Sequence, residues 1–239
     1  LPTSKERTRV PATWPLPPDA GAADYARPEN WPNDPAWGAQ WPYFSFSPSP
    51  LTTEASGASV DRAWSTTRGS PAITLAVVSP AAPLASRVLR ARLRINPGEV
   101  RPADGGVDAG LDSNGDGRVD ARDFELDPRV SDLNGNGFID ADDVAKAFAN
   151  GVDDDLNGYP DDVCGWDFIR GAPIALTADA GEARFLLLAE PVNDGEGGAG
   201  VCPDCSLLPL VSDALPTRLA EAIDYAAAAG ATARRLDLR

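Results

Sequence analysis

Residues 73–78 read ITLAVV, a continuous apolar run rich in β-branched side chains. A run of this kind suits a strand buried on both faces of a parallel sheet. Downstream, residues 84–95 set Leu84, Val88, Leu89, Leu93 and Ile95 among four arginines, a spacing that predicts a helix. Residues 183–189 (ARFLLLA) and 206–211 (SLLPLV) are further strand candidates. Residues 217–229 predict the clearest helix. Leu219, Ala222, Ile223 and Ala226 share one face, Thr217 is placed to cap it, and Gly230 ends it. Strands alternating with helices predict an α/β domain with a mainly parallel sheet.

A chain of 239 residues is long enough to bury a real core, as one large domain or a domain with an appendage. Hydrophobic content of 43% with 24% charge is globular in character. No window approaches the roughly 20 apolar residues of a membrane span. A net charge of −15 argues against nucleic acid as a partner. The chain has no histidine, which removes Ser-His-Asp and Cys-His chemistry and histidine metal ligands. It has no methionine either, so it reads as a processed product or an excerpt, with any signal peptide already removed. Eleven of the 23 prolines fall by residue 50, with Trp14, Trp31, Trp37 and Trp41 among them. Residues 1–60 therefore read as an extended arm with aromatic anchors.

The charge is concentrated. Between residues 104 and 167 seventeen Asp and one Glu stand against Arg118, Arg122, Arg129 and Lys146. The acids alternate with Asn and Gly at the intervals of a twelve-residue calcium loop, which places oxygen ligands at positions 1, 3, 5, 7, 9 and 12 and glycine at 6. Residues 112–123, DSNGDGRVDARD, supply Asp112, Asn114, Asp116, the Arg118 carbonyl, Asp120 and Asp123, with Gly117 sixth. Residues 132–143, DLNGNGFIDADD, supply Asp132, Asn134, Asn136, the Phe138 carbonyl, Asp140 and Asp143, with Gly137 sixth. Val119 and Ile139 fill the apolar eighth position.

A looser third match starts at Asp153 and offers Asp155, Asn157, the Tyr159 carbonyl and either Asp161 or Asp162. Gly158 is at its turn, but Cys164 occupies its twelfth position. The expected cofactor is Ca²⁺, at roughly 10⁻⁴ to 10⁻⁶ M if the protein is extracellular. An aspartate at position 12 resembles dockerin-type loops. Dockerins and paired EF-hands need a full helix between loops, whereas only residues 124–131 separate the first two here, with Pro128 among them. After the second loop, residues 144–150 have room for about two helical turns. The loops read as staples inside a larger fold, over residues 104–163.

A family resemblance rests on several separated segments. Residues 63–78, AWSTTRGSPAITLAVV, resemble the opening of subtilisin-like serine peptidases, where such a strand leads to the catalytic Asp. Asn33-Asp34-Pro35 with Gln40-Trp41 looks like the NDP…QW segment that precedes that domain. Residues 153–168, DDDLNGYPDDVCGWDF, are similar to the family's DDD-x-NGY-x-DD-x-x-GWDF segment, and residues 200–230 to its strand and helix ending AEAIDYA-x-x-x-GA. The resemblance implies a partial subtilisin-like doubly wound parallel sheet over 61–239, its N-terminal half, with the calcium loops inserted and residues 1–60 as the arm. It also implies a secreted or extracytoplasmic protein.

The catalytic positions depart from that pattern. Ser79-Pro80-Ala81 stands where the family has its aspartate, and Ala178 where it has its histidine. The stretch that carries the nucleophilic serine would follow Leu238. Asp179 and Glu182, near the lost histidine position, read as solvated loop residues. Cys202-Pro203-Asp204-Cys205 cannot complete a zinc site with Cys164 alone, and it precedes a strand where a redox pair opens a helix. A structural disulfide is expected, either 202–205 or one of these to Cys164. The expected function is a calcium-binding subtilisin-like domain that is proteolytically inactive, with a structural or binding role and an unidentified protein partner. The alternatives are a dockerin-like calcium-dependent interaction module and the N-terminal piece of a secreted serine endopeptidase.

Overall fold

A computed structural model describes residues 14–46, 57–100, 110–175 and 181–236. The chain divides into two compact units. The first comprises Leu1–Gly69 with Leu186–Asp204, and the second Ser70–Phe185 with Cys205–Arg239. The boundary expected at residue 60 thus gives way to one at 69, and the first unit takes in a later segment as well.

Within the first unit, residues 14–46 do not run as an extended arm. Two one-turn helices, α1 (Ala22–Tyr25) and α2 (Val60–Ala63), and 3-10 turns at Pro28–Asn30, Trp37–Ala39 and Trp41–Tyr43 fold the chain back on itself. Prolines 28 and 42 sit in the first turn of their segments, where the missing N–H costs nothing. The driving force is aromatic burial. Trp37 and Phe44 are fully enclosed, with ring centroids 5.1 Å apart, and Trp37 meets Trp64 at 5.2 Å. Phe44 stacks on Phe46 at 4.6 Å. Side chains of this size bury enough area to close a core, and offset or tilted pairs add to it. The indole N–H of Trp31 donates to the Tyr25 carbonyl, and that of Trp64 to the Val201 carbonyl. Trp41 alone of the four expected anchors is exposed.

The second unit is built on a five-stranded sheet. Its strands are β1 (Thr74–Ser79), β2 (Trp166–Asp167), β3 (Ala172–Pro173), β4 (Ser206–Val211) and β5 (Ala233–Leu236), in the order β3-β2-β4-β1-β5. All pairs are parallel except β2 with β3. The expected α/β class with a mainly parallel sheet is therefore what the chain adopts. The run at 73–78 is its interior strand β1, between β4 and β5, buried along nearly its whole length, and Thr74 to Ser79 pair in register with Ser206 to Val211.

Helix α3 (Ala141–Phe148) begins three residues before the expected 144, because Asp140 caps it by accepting from Asp142 and Asp143 N–H. Residues 183–189 form helix α4 (Glu182–Ala189), correcting the strand expected there. The segment has no β-branched residue, and Leu, Ala, Arg and Glu are strong helix formers. Residues 84–95 form only a 3-10 turn at Leu89–Ala91, correcting the expected helix. Beyond the turn, Arg92 and Arg94 exchange backbone hydrogen bonds with Leu207, so the start of β4, ahead of its pairing with β2, captures the chain.

Helix α5 (Pro216–Ala228) starts on a proline and has no side-chain cap, so Thr217 does not cap it. It ends at Gly230, which adopts a left-handed φ of 77°. Its buried face is Ala222, Tyr225 and Ala226, packed in one cluster with Ala76, Val78, Trp166, Phe168, Leu208 and Leu210. Leu219 borders that cluster, and Tyr225 takes the place expected for Ile223. Among the described residues no helix is long and apolar enough to cross a membrane.

Gly165, just before β2, has φ of 93°, and a Cβ there would lie 2.0 Å from the Pro209 carbonyl oxygen. Backbone against backbone has no side chain to move aside. Gly165→Ala should lower stability by at least ~2 kcal/mol, read as a leftward shift of the urea midpoint.

Candidate metal centres

The three acidic stretches fold by one local rule. Asp112 accepts from Asp116 and Gly117 N–H at 3.0 and 2.9 Å. Asp132 accepts from Asn136 and Gly137 N–H at 3.0 and 2.8 Å, and Asp153 from Asn157 and Gly158 N–H at 3.0 and 2.7 Å. The third position repeats the pattern one step on. Asn114, Asn134 and Asp155 each accept from the N–H two residues later. The fifth position repeats it again, with Asp116, Asn136 and Asn157 accepting from Arg118, Phe138 and Tyr159 N–H. Asp and Asn are suited to this because their short side chains reach a backbone N–H two residues ahead. The sixth residue must turn with a positive φ, and Gly117, Gly137 and Gly158 do so at 84°, 93° and 95°.

The twelfth residue closes the first two loops. Asp123 accepts from Ser113, Asn114 and Asp120 N–H, and Asp143 from Leu133, Asn134 and Asp140 N–H. The ninth residues, Asp120 and Asp140, are fully buried. Asp140 Oδ2 is met by the side-chain amides of Asn134 and Asn136 at 2.9 and 2.6 Å. In the first loop Arg122 pairs with Asp116 and with Asp120. All twelve ligand positions expected in the first two loops are thus brought into two closed turns.

In the third loop the carboxylates of Asp161 and Asp162 meet different partners. Asp161 turns outward, its carboxylate receiving Asn150 and Gly151 N–H. Asp162 is fully buried and faces the loop, accepting from Asn157 Nδ2 at 2.9 Å, Asn96 Nδ2 at 2.6 Å and the Tyr225 hydroxyl at 2.6 Å. Cys164 is turned into the interior, where its thiol donates to the Ala141 carbonyl. A residue that the spacing did not reveal joins this site. Glu99, only 2% exposed, has a carboxylate oxygen within 4.8 Å of those of Asp155 and Asp162. It accepts from Asp154, Asp155 and Asp161 N–H. The one advance signal was a lone glutamate in the turn Asn96-Pro97-Gly98-Glu99, far from the loop it serves. A second carboxylate group brings together Asp140, Asp142 and Asp143, with Asp142 also paired to Lys146 at 2.6 Å. A cavity of about 240 Å³ opens beside the third loop, lined by Asn96, Asp155, Asn157, Tyr159 and Tyr225.

The electrostatics fit a cation. Burial pushes the Asp123 and Asp143 carboxyls up, against the pull of the N–H groups they accept from, and Asp120 and Asp140 add repulsion. Asp162 rises for the same first reason. Glu99 is pushed up to about 7 by burial and then by the charge of Asp162. The donors are carboxylate, amide and carbonyl oxygens, the ligand set of hard cations, and the buried acidic clusters can hold a metal ion.

The positions related to catalysis are otherwise engaged. Ser79, at the end of β1, is fully buried and its hydroxyl donates to the Ala81 carbonyl. Ala178 and Asp179 lie outside the described residues. Glu182 accepts from the Ser86 hydroxyl. Cys202 and Cys205 are joined in a disulfide, which settles the open pairing, and Cys164 is the free thiol.

Carboxyls raised in the fold contribute stability below their unfolded pKa and lose it as pH rises through their folded pKa. In chelator, the melting temperature should therefore fall between pH 5 and pH 8, through the Glu99 value of about 7. Calorimetry with excess divalent cation should flatten or reverse that slope.

No protein-family model matches the chain, and no curated protein matches it.

Proposed function

We propose that this chain is a calcium-binding domain of subtilisin-like type, secreted or extracytoplasmic, in which the metal ions staple the fold and peptidase chemistry is absent. The observation that carries the calcium reading is the shared hydrogen-bond register of the three loops. Three stretches with different neighbours adopt the same sequence of turns, and carboxylates draw together in the second loop, at Asp140 and Asp143, and in the third, at Asp155 and Asp162. In the first loop Asp112, Asn114, Asp116, the Arg118 carbonyl, Asp120 and Asp123 would hold the ion. In the second it would be held by Asp132, Asn134, Asn136, the Phe138 carbonyl, Asp140 and Asp143. In the third Asp153, Asp155, Asn157, the Tyr159 carbonyl and Asp162 would do so. Five or six ligand residues on adaptable turns suit calcium over magnesium, which prefers a rigid octahedron and retains its water. An asparagine amide serves by turning its oxygen inward. The ion supplies positive charge where the carboxylates repel one another.

The subtilisin-like reading is supported by the order of the segments and by the parallel pairing of β1 with β4. The inactive reading is supported by the absence of histidine and by the enclosed hydroxyl of Ser79. A serine hydroxyl needs a base beside it to act near neutral pH.

Calcium should raise the melting temperature and a chelator lower it, measured on one preparation. Identical melts would remove the metal reading. Asp112→Ala together with Asp132→Ala should abolish most of the shift. A serine-directed fluorophosphonate should leave the chain unlabelled by intact mass, and stoichiometric labelling would overturn the inactive assignment.

A further inference from the structure

The third loop lacks an acid at its own twelfth position, yet its backbone is held like the other two. In the first loop Asp123 Oδ1 accepts the N–H of the second and third residues, at 2.9 and 3.2 Å, and Oδ2 that of the ninth at 2.9 Å. In the second, Asp143 Oδ1 and Oδ2 accept the same three, at 2.8, 3.3 and 3.1 Å. In the third loop the second, third and ninth residues are Asp154, Asp155 and Asp161. Their N–H groups go to Glu99 Oε1 at 3.1 and 3.4 Å and to Glu99 Oε2 at 3.1 Å. The atom-by-atom correspondence is complete, although Glu99 precedes its loop in the chain and the aspartates end theirs.

We propose that Glu99 is the twelfth ligand of the third calcium site, supplied from outside the loop, so that this site closes only when residues 95–99 are docked. The assignment rests on the calcium reading of the loops. Three further observations support it. The loop's own twelfth residue is committed elsewhere, with the Cys164 thiol on the Ala141 carbonyl. The approach of the donor segment is close: a Cβ on Gly98 would sit 2.5 Å from Asp155 Cβ and 2.6 Å from its Oδ2. Asn96 secures the same segment, its N–H donating to the Val163 carbonyl and its side-chain amide to Asp155 and Asp162. A glutamate suits the role. Its extra methylene extends the carboxylate's reach, and the bidentate twelfth ligand of calcium sensors is glutamate. The first two sites are contained in single stretches of chain, whereas the third depends on tertiary structure. Calcium at the third site should therefore favour the docked segment by linkage.

The test is calcium stoichiometry and affinity by isothermal titration calorimetry on the full chain. Wild type should bind three equivalents. Glu99→Gln should bind two, with the remaining affinities within about twofold of wild type. Asp153→Ala should remove the same equivalent, and the double variant no more than either alone. Glu99→Asp keeps the charge and covers the case in which the glutamine variant does not fold. It should weaken one equivalent by at least about tenfold and leave the other two unchanged. Three equivalents of unchanged affinity in Glu99→Gln or Glu99→Asp would overturn the assignment and leave the calcium reading intact, and two equivalents in wild type would do the same. No calcium binding in wild type would fail the calcium reading itself.

Discussion

The hydrogen bond from a backbone N–H to an aspartate carboxylate organises the second unit. Seventeen aspartates lie between residues 104 and 167, and a like-charge block of that density ordinarily stays unfolded. Here the oxygens of Asp112, Asp132 and Asp153, which open the three loops, are met by the N–H groups of their own turns, at distances near 3 Å. In the second and third loops the turns bring carboxylates together instead of separating them, where positive charge would relieve their repulsion. Arg122 supplies such charge in the first loop, and the amides of Asn134 and Asn136 supply donors in the second.

One segment connects the loops to the sheet. Arg90 stacks over the Phe138 ring of the second loop and pairs with Glu125. Ile95 N–H donates to the Val119 carbonyl of the first loop, and Glu99 enters the third. Between these contacts, Arg92 and Arg94 are bonded to Leu207 of β4. Within ten residues the chain therefore touches every loop and the edge of a core strand. From the opposite side, Tyr225 on α5 donates to Asp162. The loops are fastened to the hydrophobic core through a few named bonds and do not form a module of their own.

What could be read in advance divides along the range of the interactions. The first two loops were legible because every expected ligand lies within twelve residues, and the turn chemistry that places them is local. β1 and β4 were legible because strands buried on both faces are apolar throughout. Glu99 was hidden because its partners are more than fifty residues away, and no spacing rule links them. The 84–95 segment was misjudged because pairing with β4 overrode its helical periodicity. The N-terminal prolines suggested extension, whereas the tryptophans and phenylalanines between them decided the outcome by burying one another. Helix α4 follows from local composition alone, since its segment has no β-branched residue and is rich in helix formers.

The odd cysteine carries a consequence for oxidative folding. Thiol–disulfide exchange requires a thiolate that can reach a sulfur. Cys164 is enclosed, its thiol is pushed well above its usual pKa by burial and by the neighbouring aspartates, and its proton is held on a carbonyl. Held in this way, the spare sulfur is kept from exchange, and the Cys202–Cys205 bond has no internal competitor. The loop aspartates that raise the Cys164 thiol, Asp140, Asp142 and Asp162, thereby also guard the fidelity of the disulfide.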